Sequence, residues 1–150
     1  MLFRSELRQV GEIMQSMAKE AGIDISLRAT EFATSLNAAE KGDFDAYILA
    51  WSGRVDPDGN SFIFYKTKAP QNNGMYSDAD VDQWLDDQRK VGTVAERKAI
   101  YEKIAGKVLT EGSIIYLYHQ LSIIAHTTKL QGYTQLADGL VRVTGLKLAP

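Results

Sequence analysis

The run Gly42-Asp43-Phe44-Asp45-Ala46-Tyr47-Ile48-Leu49-Ala50-Trp51-Ser52-Gly53-Arg54-Val55-Asp56-Pro57-Asp58-Gly59-Asn60 constrains the fold more than any other stretch of the chain. Residues 47–51 are short and uncharged, as in a strand covered on both faces. Ser52-Gly53 and Asp56-Pro57-Asp58-Gly59 are turn chemistry that ends it. In α/β sheets small ligands bind in the loops that leave the carboxyl ends of strands, which makes this loop the first candidate site.

The flanking pattern supplies the rest of an α/β unit. Leu7, Val10, Met14, Met17 and Ala21 recur at spacings of three and four, which predicts an amphipathic helix over residues 6–21 closed by Gly22. Ile23, Ile25, Leu27 and Ala29 then alternate with polar residues, the period of a strand with one covered face. Thr30 is placed to cap a short helix carrying Phe32, Leu36 and Ala39 inward, and Gly42 ends it before the strand over 44–51. Strand, crossover helix and strand with short connections imply a parallel βαβ unit. A first strand, if there is one, is reduced to Leu2-Phe3.

Phe62, Ile63, Phe64 and Tyr65 form an apolar knot, and residues 62–73 read as irregular. Ser77 with Asp80 and Thr93 with Glu96 have the spacing of capping boxes and predict two helices within 78–111. The first buries Val81, Trp84 and Leu85, and the second buries Ile100, Ile104 and Val108. Residues 114–118, 121–125 and 140–148 read as strands.

Composition narrows the function classes. With 150 residues, 45% of them hydrophobic, the chain has enough for an ordinary core in one globular unit. Its 17 basic and 19 acidic residues are spread evenly for a net charge of −2, which argues against a surface that tracks nucleic-acid phosphates. No apolar run reaches the length of a bilayer span, and the start lacks the layout of an export signal. The absence of cysteine excludes disulfides, thiolate metal sites and a cysteine nucleophile.

Asp56, Asp58 and Asn60 match the start of a calcium loop, but its sixth and twelfth positions are Ser61 and Thr67, so an Asx-stabilised turn is the better reading. No metal and no cofactor is expected. Asp45, Asp56 and Asp58 are the candidate acids of an alternative reading, a small α/β hydrolase or glycosidase, and spacing alone does not separate their protonation behaviour. His119 and His126 have no serine elbow to serve. Trp51 at a strand end divides between core and cleft lining. Arg54 reads either as a surface cation or as a planar fork for a carboxylate or phosphate. Asn72 is a loop residue with an amide able to orient a ligand.

The order of these pieces resembles the C-terminal part of the family 5 extracellular solute-binding proteins, the dipeptide, oligopeptide and nickel receptors of ABC importers. The similarity rests on Ala18-Lys19-Glu20-Ala21-Gly22-Ile23-Asp24-Ile25, Lys41-Gly42-Asp43-Phe44-Asp45-Ala46-Tyr47, Trp51-Ser52-Gly53 and Asp56-Pro57-Asp58-Gly59-Asn60. It continues through Gln71-Asn72, Tyr76-Ser77, Val81-Asp82, Arg97 with Tyr101, and Ile114-Ile115-Tyr116-Leu117-Tyr118-His119.

The resemblance implies a three-layer α/β lobe of periplasmic binding protein type, with a mixed, mostly parallel sheet and flanking helices. Residues 1–120 would form the second lobe and 121–150 crossover strands returning to a first lobe, with Met1 not a natural start. It implies a non-enzymatic, periplasmic or membrane-anchored receptor that passes a peptide-like or other small solute to a permease. Trp51, Ser52, Gly53, Arg54 and Asn72 would line the ligand. Peptide-binding members carry an aspartate at the position of Arg54, paired with the peptide ammonium, so here the charge is reversed. Ser113 also stands where a proline is common. Residues 121–150 are expected to expose apolar alternation and to favour displacement or self-association.

Overall fold

The computed structural model describes residues 5–119, 121–136 and 139–150; Leu2-Phe3, the candidate first strand, lies outside them. The chain divides into two compact units, Met1–Trp51 and Ser52–Pro150, with the boundary inside the Trp51-Ser52 motif.

In the first unit, α1 (Ser5–Glu20) follows the apolar spacing, and α2 (Phe32–Glu40) follows the crossover. Gly22 and Gly42 take positive φ, 80° and 72°, as the stop signals require. Glu31, and not Thr30, caps α2: its carboxylate accepts from Ala33 N at 2.9 Å and Thr34 N at 3.2 Å, and these backbone donors lower its pKa. Ala39 is buried, whereas Phe32 stays 48% exposed.

Residues 23–29 and 47–51 run on either side of α2 without joining a hydrogen-bonded ladder. Their side chains nonetheless converge. A Cβ added at Gly11 of α1 would lie 3.3 Å from Leu27, tighter than an ordinary contact, and 3.7 Å from Ile48, so both segments reach this helix and the glycine eases the approach of Leu27. Gln15 Nε2 also donates to Ile25 O at 2.6 Å. The path is strand-like, helix, strand-like. Two such segments alone are marginal as a sheet, because parallel pairing needs cover on both faces and neighbours on both edges.

The second unit is built on α3 (Asp58–Tyr65), α4 (Ala79–Asp87) and α5 (Val94–Glu111). Tyr65, Val81, Leu85, Ile104 and Val108 form its buried core, with Phe62, Phe64, Trp84, Ile100 and Ile114 packed around it. Thr93 and Glu96 make the capping box read from the sequence. The first of these helices starts one residue later than expected: Asp78 accepts from Val81 N at 2.9 Å, while Ser77 Oγ pairs with Thr67 Oγ1 at 3.0 Å.

Two expectations need correction. Residues 58–65 are helical where an irregular stretch was expected. Gly59, Asn60 and four bulky residues are poor helix formers, but burial of Tyr65 and packing of Phe62 and Phe64 outweigh intrinsic propensity. Among the described residues the only ladder is antiparallel, β1 (Leu130–Gln131) with β2 (Lys147–Leu148), so residues 114–118 and 121–125 pair with nothing in a sheet. In residues 114–118 one face still contacts the core, through Ile114 and through a 2.7 Å bond between the Tyr116 and Tyr65 hydroxyls. The other face is open, with Ile115 79% exposed. Strand alternation is present, and a partner strand is not.

Candidate functional site

The loop over residues 52–60 is held by its own side chains. Asn60 spans it: its Oδ1 accepts from Arg54 N and its Nδ2 donates to Arg54 O, both at 2.6 Å, with a third, longer bond from Nδ2 to Asp56 O at 3.3 Å. The Asx turn expected at Asp56 is present, with Asp58 N donating to Asp56 Oδ1 at 2.8 Å and starting α3. Arg54 is exposed and folds back, Nη1 donating to Ser52 O at 2.5 Å and Ser52 Oγ at 3.3 Å. Its stem crosses Gly59 so closely that an added Cβ there would sit 3.0 Å from Arg54 Cβ and Cγ. A larger residue at 59 would force the Arg54 stem to shift by a few tenths of an ångström.

Two guanidinium forks anchor the loop to the helices. Arg97 on α5 grips Asp56 bidentately, Nη1 to Oδ2 at 2.8 Å and Nη2 to Oδ1 at 2.6 Å. Arg89, just beyond α4, grips Asp58 through Nε at 2.9 Å and Nη2 at 2.8 Å, and its guanidinium lies 3.6 Å above the Phe62 ring centre. Gln88 sits between them, 1% exposed: it donates to Asp58 and to Leu85 O, and its Oε1 accepts from Arg97 Nε at 2.9 Å. An open depression of about 350 Å³ is lined by Asp56, Asp58, Gln88, Arg89, Val91 and Arg97.

This wiring bears on the hydrolase reading. The Arg97 fork, and then the Asp58 amide, hold the Asp56 carboxyl down at about 2. A carboxylic acid that low gives up its proton far below neutral pH and is unsuited to donate one at pH 7. Asp58 is equally committed to Arg89, and Asp45 is exposed in the other unit. Nor are Asp56 and Asp58 arranged as cation ligands, since each faces an arginine. Among the described residues no group of three or more acidic or histidine side chains is placed to hold a metal.

The candidate ligand residues fall as follows. Trp51, 38% exposed, ends the first unit, while Ser52, Gly53 and Arg54 open the second. Asn72 braces the loop over residues 66–76: Nδ2 donates to Lys66 O at 3.1 Å and Tyr76 O at 2.7 Å, and Oδ1 accepts from Tyr76 N at 2.9 Å. Both its amide hydrogens are thereby used. Sequence reasoning did not find Gln88 and Arg89, and it named Arg97 only within a resemblance. Nothing in local spacing connects a helix-end glutamine to a turn 30 residues earlier.

The profile of the bacterial extracellular solute-binding proteins, family 5 Middle, matches residues 4–73. The similarity over those residues is to that family's middle region. The family 5 match takes in Trp51, Ser52, Gly53, Arg54 and Asn72, and with them the Asx turn and α3. Relatives extend the similarity beyond it. A probable di/tripeptide-binding protein of Pseudomonas aeruginosa is 25% identical over 127 residues, 81% of this chain and 24% of that protein. The nickel-binding protein NikA of Staphylococcus aureus is 23% identical over 140 residues, 91% of this chain and 28% of its own length. A probable deoxycholate-binding periplasmic protein of Escherichia coli is 26% identical over 103 residues, 68% of this chain and 19% of its own. The chain therefore spans between about a fifth and a little over a quarter of the length of these relatives. No helix among the described residues is long and apolar enough to cross a membrane.

Proposed function

We propose that the chain is part of the substrate-binding component of an ABC importer, acting outside the cytoplasm without catalysis, and that Trp51, Ser52, Gly53 and Arg54 contact the solute. The observation that carries this reading is the family 5 match across residues 4–73, which includes a self-braced loop with an exposed arginine fork. Asn72 contributes by shaping its own loop, since its amide hydrogens are already taken. Residues 1–120 would belong to the second lobe of a mixed-sheet α/β binding protein, with 121–150 lying against the first. One wall cannot bury most of a small ligand, so the chain alone should bind weakly.

The sign of Arg54 sets the ligand class. A guanidinium repels a free peptide ammonium and attracts a carboxylate or a neutral acceptor, and a desolvated like-charge contact is strongly unfavourable. The solute is therefore expected to present an anionic or neutral acceptor at Arg54, and the di- and tripeptide binders among the relatives suggest peptide-sized probes. Calorimetry on the full-length protein carrying this sequence should show N-succinyl-trialanine, with a carboxylate where the ammonium would be, binding at least tenfold more tightly than trialanine. Equal affinities, or a preference for the free amine, would refute the anionic assignment.

The apolar side chains of residues 115–148 bear on partners. Leu121 is 83% exposed and Ile123 88% exposed, a hazard for association between copies when nothing covers them. Light scattering should show concentration-dependent association of the chain that Ile123→Lys reduces; a monomer at all concentrations would remove self-association from the account.

A further inference from the structure

We propose that Asn60, Asp56, Gln88 and Arg97 form a positioning relay that fixes the Arg54 backbone from α5, so that residue 97 tunes solute binding without touching solute. The ligand-level part rests on Arg54 being a solute contact; the structural part does not.

The relay is continuous. Arg54 N and O are both bonded to Asn60, whose Nδ2 also reaches Asp56 O. Asp56 is gripped at both oxygens by Arg97, whose third donor, Nε, is spent on Gln88 Oε1. Gln88 in turn holds Asp58, the first residue of the helix that carries Asn60. The Arg54 backbone N and O are thus both bonded to the Asn60 side chain, which sits on a turn tied at Asp56 and again at Asp58. A planar guanidinium is suited to this task because it locks position and orientation together, whereas an ammonium fixes only position.

Burial sharpens the assignment. Gln88 is 1% exposed, and its two polar ends go to the two anchors of the loop. A side chain serving only to fill the core would be apolar there, because a buried amide is tolerated only when its partners are in place. The same wiring shows how a change on α5 reaches Arg54: relaxing the fork on Asp56 loosens the turn there and leaves the two 2.6 Å bonds of Asn60 on a base tied only at Asp58.

The test is native-state amide exchange on the full chain, followed residue by residue by NMR, with Arg97→Lys and Asn60→Ala beside the unmodified protein. The lysine variant keeps the charge and loses the fork. Exchange at the Arg54 amide should speed by about tenfold in both variants, the scale of one hydrogen bond, with Leu85 and Ile104 amides unchanged. An Arg54 amide as protected in Arg97→Lys as in the unmodified protein would overturn the relay. So would equal acceleration at Arg54, Leu85 and Ile104, which would make Arg97 a general support of the fold. In the full-length protein, Arg97→Lys should weaken N-succinyl-trialanine binding several-fold. Failure of the unmodified protein to bind that probe would count against the solute reading alone, since the exchange result stands without it.

Discussion

Residues 52–111 and residues 112–150 lie in the same compact unit and both carry apolar faces, one at helical spacing and one in alternation, yet the first region buries far more of its own. In the first, Val81 and Leu85 are fully buried, and the loop before α3 is fixed by two arginine forks. In the second, Ile115, Leu121, Ile123 and Val143 are 76% or more exposed, and the only ladder among the described residues joins two residues to two. Alternation gives a strand an apolar face, but only a partner layer gives that face something to bury against. Helices satisfy their own backbone and need one another only for packing, whereas a strand needs a neighbour even for its hydrogen bonds.

The contrast can be broken most easily at its buried end. Leu85→Ala, at a fully buried site, should cost about 2–5 kcal/mol in urea unfolding, the range for a leucine truncated in a packed core. A loss below about 1 kcal/mol would mean the helical core is far looser than its burial implies. A smaller effect is expected at Thr93: removing the capping-box hydroxyl in Thr93→Ala should cost about 1 kcal/mol by the same measurement. At the open end, Ile123→Ala should change stability by no more than about 0.5 kcal/mol, and a core-sized loss there would show that the second region is packed after all.

Acid gives a further separation. The folded-state pKa of Asp56 lies at about 2, below its ordinary 3.8, so its ion pair with Arg97 adds stability above pH 3.8 that is lost as pH falls through about 2. Protection of the Arg54 amide should hold at pH 5, decline below pH 4, and become independent of pH in that window in Asp56→Asn. Loss already at pH 5 would contradict the pairing.

Much of the chain was legible because it depends on neighbours in sequence. The spacing of Leu7, Val10 and Met14, the Thr93–Glu96 box and the glycine stops at 22 and 42 all act within one helical turn, and each appears where it was expected. What escaped depends on distance. The helix over residues 58–65 forms against its own propensities because its aromatics find α4 and α5. The Asp56–Arg97 fork joins residues 41 apart, and Gln88 is silent in any local reading. The strand pattern of residues 23–29 and 47–51 was read from alternation, and alternation does not say whether neighbours are present to pair. At the candidate site, Arg54 was an expectation from sequence and resemblance, whereas the Asn60 bridge to its backbone had no local signal.

Reversing the charge at residue 54 tests solute recognition by this loop most directly. In the full-length protein, Arg54→Asp titrated with N-succinyl-trialanine and with trialanine should invert the preference of the unmodified protein, losing the succinyl probe and gaining the free amine. An unchanged order of affinities in the variant would contradict the claim that the loop before α3 meets the solute through its arginine.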